Sequence, residues 1–412
     1  MRAQAPSRQG LAAGAQRASF WPAQRARACA RPRLSATAIE VAAQPLQYEK
    51  ELTSAKEAVR LASRLCTVVQ RQLSLEEKAD KKDASPVTVA DYGAQAVVAW
   101  VLQRADPSLR LSMVAEEDSA ELATPGGRPM LERITQLINS VITEADPAAK
   151  LTPEEVLKLI DLGNSQGGPS GRHWVLDPID GTRGFVGMRQ YAVCLGMLQQ
   201  GEVVLGVLGC PNLPQGDVED DAGGAGAASR SGDEDVGALF WAHRGAGAYA
   251  EPLCPQQGDP AGSAPQRIHV VDLADSSQAR FMESMESRHS SHGTASAMAK
   301  ELGIVRPSLR MDSQVKYGLL SRGVASIFMR FPPRTYKEKI WDHAAGFVIV
   351  EEAGGKVTDA GGVRLDFSKG RFLDLGPFNG IIAAPPKLHA QLVAAAARVV
   401  GSEADTRAEK MY

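Results

Sequence analysis

The run Trp174-Val175-Leu176-Asp177-Pro178-Ile179-Asp180-Gly181-Thr182 places two carboxylates at the end of an apolar, strand-like stretch. Proline after the first carboxylate predicts a turn, and Gly181-Thr182 predicts the opening of a helix. Carboxylates that close repel one another unless a positive charge lies between them. A hard divalent cation such as Mg²⁺ takes oxygen ligands, so Asp177, Asp180 and the Ile179 carbonyl form a candidate metal site. The amides of Gly181, Thr182 and Arg183, at a helix start, suit an anion such as phosphate. The ordinary alternative is an Asp pair capping a surface turn.

Three further segments repeat the pattern. Glu116-Glu117 directly follows the apolar run Leu109–Val114, Asp342 opens the apolar helix-like run after Trp341, and Asp91 follows Pro86-Val87-Thr88-Val89-Ala90 at an expected helix start. Singly, a Glu pair reads as solvated surface, and Asp342 or Asp91 as a helix N-cap. Together, four segments far apart in sequence set carboxylates at strand ends or helix starts, where layered α/β proteins build metal and phosphate sites.

The elements that must position them alternate in type. Apolar residues Leu52, Ala55, Val59, Ala62, Cys66 and Val69 recur at three- and four-residue steps and predict a helix over 48–75. Further helices are expected up to Arg104, over 131–141, 153–162, 291–302, 317–321, 342–353 and 387–400. Strand-like runs cover 109–114, 173–176, 191–199, 203–210, 238–242, 247–250, 267–272, 308–312, 325–330, 356–358 and 380–384. This mixture argues for stacked α and β layers. The stretches 215–237 and 255–266, rich in small, acidic or Pro and Gln residues, read as loop insertions. The second marks the expected junction between an N-terminal lobe over 47–265 and a C-terminal lobe over 266–402.

Composition is that of a globular protein, 44% hydrophobic and 23% charged, with a formal net charge of −2. The total conceals a split. Residues 1–39 hold seven Arg and no Lys, Asp or Glu, which leaves 39 basic against 48 acidic residues in the remainder, a net of −9. An Arg- and Ala-rich, acid-free leader predicts a transit peptide over 1–46. The expected destination is the chloroplast, with the mitochondrion as alternative; a basic nucleic-acid-binding arm is a second reading of the same residues. No apolar run approaches the ~18–20 residues of a membrane helix, and no membrane or nucleic-acid partner is expected. The five cysteines show no paired spacing and predict a reducing compartment. Cys66, Cys194, Cys210 and Cys254 suit burial, with redox control as the alternative.

In order and flanks these segments resemble the magnesium-dependent, lithium-sensitive phosphatase superfamily of inositol monophosphatase and fructose-1,6-bisphosphatase. The matching text is Asp177–Thr182, Trp341–Gly346, Glu116-Glu117 and Val87–Tyr92. Within it, Thr182-Arg183-Gly184-Phe185, His289–His292, Met311–Tyr317 and Glu338–Asp342 resemble the plant and fungal 3′(2′),5′-bisphosphate nucleotidases, over roughly Tyr48 to Val400.

The resemblance implies a layered αβαβα sandwich of two lobes. It also implies two to three Mg²⁺ ions held by Glu116, Asp177, the Ile179 carbonyl, Asp180 and Asp342. Asp91 and Thr182 become the dyad that orients and deprotonates water. Thr182, His289, Ser313, Lys316, Arg330 and Asp342 become substrate-binding residues; without it, His289, Ser313, Lys316 and Arg330 read as surface or capping residues. The implied reaction removes the 3′-phosphate of adenosine 3′,5′-bisphosphate, and of 3′-phosphoadenylyl sulfate, with a monomeric enzyme expected. An inositol phosphate phosphatase with the same metal centre is the rival, and a catalytically silent nucleotide sensor the non-enzymatic one. In two places the sequence departs from these relatives. Where they usually carry a basic residue, Gly and an acidic residue before Gln-Tyr, this chain has Gly187-Met188-Arg189. The segment from Arg330 to Asp342 is about a residue shorter than in fungal relatives, which weakens the assignment of Arg330.

Overall fold

The computed structural model describes residues 47–76, 86–107, 110–216, 218, 236–254, 264–285 and 291–409. The expected leader and His289 lie outside them, as does most of the two expected insertions. The described residues fall within one compact unit, Pro45–Tyr412.

The chain runs α1 (Glu49–Glu76), α2 (Pro86–Ala105), β1 (Met113–Ala115), α3 (Arg128–Ala145), α4 (Pro153–Asp161), β2 (Arg172–Asp180) and α5 (Thr182–Val186). Then come β3 (Ala192–Gln199), β4 (Glu202–Pro214), β5 (Val236–His243), β6 (Gly247–Pro252), β7 (Gln266–Ile268), β8 (Phe281–Glu283) and α6 (His292–Glu301). The remainder is β9 (Leu309–Arg310), α7 (Val315–Ser321), β10 (Ile327–Arg330), α8 (Ala344–Glu352), β11 (Lys356–Asp359), β12 (Ile381–Ala384) and α9 (Pro386–Glu409).

Strands β1 to β7 form one sheet in sequence order, parallel at β1–β2 and antiparallel elsewhere. The second sheet has the order β11-β12-β10-β8-β9. Helices α1 and α2 cover one face of the first sheet, and α7 and α8 fill the space between the sheets. Helices α6 and α9 close the far side. The result is the layered αβαβα sandwich, with three apolar clusters between successive layers. Strand β7 belongs to the first sheet, so that sheet runs past the expected junction at 265/266.

Local chemistry explains most boundaries. Helix α1 buries Ala55, Val59, Ala62, Cys66 and Val69 on one stripe, as its periodicity requires. Helix α4 starts with a capping box: the Glu155 amide donates to Thr152 Oγ1 at 3.3 Å, and the Thr152 amide to Glu155 Oε2 at 2.7 Å. Both satisfy amides that have no intrahelical partner. Cys66, Cys194 and Cys210 are buried, whereas Cys254, expected to be buried, is exposed, two residues beyond the end of β6.

Helix α9 meets the second sheet through a buried polar contact. Thr358 Oγ1 donates to the Asp359 carbonyl at 2.7 Å, so it accepts from His389 Nε2 at 2.8 Å. Burial, aided by Lys356, pushes the His389 ring from its usual 6.5 down to about 4. The folded ring therefore stays neutral where the unfolded chain takes up a proton. Its contribution is complete above about pH 6.5 and is lost as pH falls toward 4. Thermal unfolding between pH 7 and 5 should show a falling midpoint, with a shallower fall in His389→Gln. Equal slopes would remove His389 from the acid response.

Candidate active site

Parallel pairing of β1 with β2 matches Ala115 to Leu176, so the residues after them, Glu116 and Asp177, emerge side by side. The end of β1 is held in place by two side chains. Gln95 of α2, fully buried, donates to the Glu117 carbonyl at 2.7 Å and accepts from the Glu117 amide at 3.1 Å. Arg371 donates to the Ala115 carbonyl at 2.6 Å while its guanidinium lies 4.7 Å from the Trp341 ring centre.

Strand β2 does not stop at Asp177 as its sequence predicts; it continues to Asp180. Asp177 pairs with Cys194 and Asp180 with Ala192, so one residue is extra on β2 and the register shifts between the carboxylates. This is a β-bulge, the place in a sheet where proline is tolerated and where side chains are re-aimed. Beyond it Gly181 takes φ +92° and opens α5, a conformation that glycine adopts without strain. Asp180 accepts from the Gln314 amide at 2.5 Å. The Gln314 side chain donates to the Trp341 carbonyl at 2.8 Å and accepts from the Gly346 amide at 3.0 Å. That one glutamine joins the bulge, α7 and α8.

Asp342 also differs from expectation. It lies in a 3₁₀ turn over Ile340–Asp342, and α8 begins two residues later, after His343. Asp91 sits in the second turn of α2, because the helix starts at Pro86. Neither carboxylate caps its helix.

Glu116, Asp177, Ile179, Asp180, Thr182, Ser313, Lys316, Arg330 and Asp342 all line one cavity of about 470 Å³. Asp91 is not among its lining residues, and His289 lies outside the described chain. The cavity is lined by side chains of both charges, set beside one another. Among the carboxylates, buried Lys316 donates to the Met311 carbonyl at 2.9 Å, and Arg330 Nη2 stands 3.9 Å from Asp342. Lys339 bridges the rim to Glu116 at 3.1 Å. Burial lowers the Lys316 ammonium to about 8, with Asp180 and Asp312 opposing the fall, so it remains mostly protonated at neutral pH.

The carboxylate cluster carries the mark of a cation site. Asp177 is buried and its Oδ1 has no hydrogen-bond partner. Burial first, then the charges of Asp180, Glu116, Asp342 and Asp91, pushes its carboxyl well above the usual range. Burial likewise raises Asp342, against the pull of Arg330, and raises Asp91 together with Glu117 and Glu116. Carboxylates that raise one another are stabilised by a divalent cation, and an all-oxygen donor set suits Mg²⁺.

The tightest trio of possible ligands among the described residues, within 4.8 Å, is instead Glu338, Asp342 and His343. Two of its members are already committed. Glu338 accepts from Arg330 Nε at 2.7 Å and from His343 Nε2 at 2.9 Å, and His343 Nδ1 faces Tyr317 Oη at 2.9 Å. Against the desolvation that would raise it, Arg330 and His343 hold the Glu338 carboxyl down to about 2. Burial keeps His343 below its ordinary value, so Nε2 carries the proton and Nδ1 accepts from the tyrosine. Tyr317, His343 and Glu338 thus form a buried relay behind Arg330. No role for these three is predictable from the sequence, although they lie within Met311–Tyr317, Trp341–Gly346 and Glu338–Asp342, segments that resemble the family.

The sequence profile of the inositol monophosphatase family matches residues 48–401. The chain belongs to the inositol monophosphatase family. It is 50% identical over 350 residues to the 3′(2′),5′-bisphosphate nucleotidase of Oryza sativa, covering 84% of this chain and 94% of that one. It is 47% identical over 311 residues to 3′(2′),5′-bisphosphate nucleotidase 1 of Arabidopsis thaliana, covering 75% and 85%. The 3′(2′),5′-bisphosphate nucleotidase of Emericella nidulans matches at 40% over 366 residues, covering 86% and 99%. The crystal structure of CysQ from Bacteroides thetaiotaomicron, a bacterial member of the inositol monophosphatase family, shares the fold. Its TM-score is 0.52 at 18% identity, over 82% of this chain and 98% of that one. Inositol monophosphatase-family proteins are generally metal-dependent hydrolases, in keeping with the donor set described above.

Proposed function

We propose that this chain hydrolyses the 3′-phosphate of adenosine 3′,5′-bisphosphate, giving AMP and phosphate, and that it accepts 3′-phosphoadenylyl sulfate as a second substrate. The observation that carries the reading is one cavity lined both by a cluster of carboxylates and by the cations Lys316 and Arg330. The names of its 40–50% identical relatives support the same choice. Glu116, Asp177, the Ile179 carbonyl, Asp180 and Asp342 would hold Mg²⁺, which supplies charge neutralisation for phosphoryl transfer.

The chain's own residues supply position and proton transfer. Thr182, which lines the cavity, and Asp91, whose part rests on the family resemblance, would orient the attacking water and take its proton. The water oxygen bonds to phosphorus as the bond from phosphorus to the 3′-oxygen breaks; one proton of the water passes to the dyad, and the leaving oxygen takes up a proton from solvent, which leaves the dyad to return its own to solvent. Lys316 offers a buried point charge and Arg330 a planar fork for the anionic substrate. The acid-free leader supports an organellar location, chloroplast or mitochondrion, and family resemblance supports inhibition by lithium.

A phosphate-release panel tests the proposal. Release from adenosine 3′,5′-bisphosphate should require Mg²⁺, stop in chelator and fall with Li⁺. Release from inositol phosphates but not from the bisphosphate would overturn it.

A further inference from the structure

We propose that Arg189 is a positioning residue for substrate binding: its ion pair with Asp312 fastens the turn that carries Thr182 to the segment that carries Ser313 and Lys316. The inference rests on the function proposed above.

Arg189 is delivered to Asp312 by a backbone held from several elements. Met188, just before it, adopts φ +55°, a left-handed conformation that costs a non-glycine residue energy and needs support from its surroundings. The support is visible. The Arg189 amide donates to the Gly184 carbonyl at 2.7 Å, and its carbonyl accepts from Asn212 Nδ2 of β4 at 2.6 Å. Asn212 also donates to Gln70 Oε1 of α1 at 3.1 Å and accepts at its carbonyl from Gln190 at 2.7 Å. Gln70, buried, donates to the Phe185 carbonyl at 2.8 Å. From this anchored position Arg189 Nε reaches Asp312 Oδ2 at 3.1 Å, with the two side chains 28% and 8% exposed.

The two segments joined by this pair touch without side chains between them. A Cβ on Gly184 would lie 2.0 Å from the Gln190 carbonyl oxygen and 3.1 Å from Asp312 Cβ. On Gly181 it would lie 2.9 Å from Ser313 Cβ. A shift of Asp312 is therefore a shift of Ser313 against the Thr182 turn. Asp312 also lines the cavity and acts on the Lys316 charge. Without Arg189, its mostly buried carboxylate loses its guanidinium partner and competes with the substrate for Lys316.

The consequence falls on binding of the 5′-phosphate, the part of the substrate that the family resemblance sets against Ser313 and Lys316. Arg189→Met should raise KM for adenosine 3′,5′-bisphosphate about tenfold with kcat within roughly threefold, since small displacements of positioning groups cost up to about a hundredfold. KM for adenosine 3′-monophosphate, which lacks the 5′-phosphate, should stay within about twofold. Arg189→Lys should restore most of the affinity. Arg189→Met combined with Asp312→Asn, which removes the unpaired charge, should restore part of it. Thermal unfolding of each variant in the same buffer reports any general loss of structure. Equal KM changes for both nucleotides, or a fall in kcat at constant KM, would overturn the assignment. A parent active on the bisphosphate with Arg189→Met indistinguishable from it would overturn this inference alone. A parent inactive on the bisphosphate would overturn the functional proposal and this one with it.

Discussion

Asp177→Asn is expected to lower phosphate release at least about a hundredfold and, in chelator, to leave the protein more stable than the parent. The rate follows from the donor set: loss of groups that merely support a metal ligand costs about 10–100-fold, and loss of a ligand's charge costs no less. The stability follows from the electrostatics. Asp177 is buried with Oδ1 unpartnered, and burial together with four neighbouring carboxylates opposes its ionisation. A neutral isostere relieves that repulsion without changing volume. A cation relieves it too, and a ligand that binds only the folded state raises the unfolding midpoint. Added Mg²⁺ should therefore raise the midpoint of the parent more than that of Asp177→Asn, reversing or closing the gap seen in chelator. Stabilities that fall in the variant under both conditions would mean that Asp177 has a structural partner the geometry does not show. Unchanged turnover would remove it from the metal site.

The same carboxylates were legible in the sequence because their chemistry is local. Asp177 and Asp180 are close enough in the chain to suggest a shared counter-ion, and Glu116, which alone reads as solvated surface, gains its meaning from the other segments that repeat the pattern. The mixing of helices and strands in layers was legible from periodicity and alternation, α1 most plainly, whereas the αβαβα order followed only from the family resemblance. What could not be read depends on pairing across the sheet or across the chain. Whether β2 ends at Asp177 or bulges through Pro178 is decided by its register with β3, where Cys194 and Ala192 leave one residue extra. The two-residue lag between Asp342 and α8 is decided by a 3₁₀ turn that ends at Asp342 and by His343, whose φ of −138° separates that turn from the helix. Strand β8, three residues long, is too short for any period to register. Gln95 and Gln314 carry no charge and follow no pattern, yet each fixes backbone beside the cavity from another element. Arg189 and Asp312 stand 123 positions apart, so the departure around Arg189 could be noticed in the sequence but not interpreted.

Glu338→Ala should be the most destabilising polar substitution around the cavity. Its carboxylate is fully buried and accepts from both Arg330 Nε and His343 Nε2. Truncation leaves a guanidinium that is 17% exposed and a buried imidazole N–H without an acceptor. Removing one member of a buried ion pair costs about 3–5 kcal/mol. Glu338→Gln should cost less, because its one carbonyl oxygen still serves one donor; its amide must then face the other donor, so recovery is incomplete. Substrate affinity should fall in both, since Arg330 loses the contact that fixes its orientation toward Asp342 and the cavity. Stability and affinity can be separated by removing the pair together. Arg330→Met combined with Glu338→Leu replaces the ions by apolar side chains, an exchange that is often neutral or stabilising in buried sites. That double variant should unfold in urea nearer to the parent than Glu338→Ala does, while KM for the bisphosphate stays raised. A double variant that recovers affinity along with stability would show that Arg330 does not touch the substrate. One that recovers neither would show that the relay through His343 to Tyr317, rather than the ion pair, holds this wall of the cavity together.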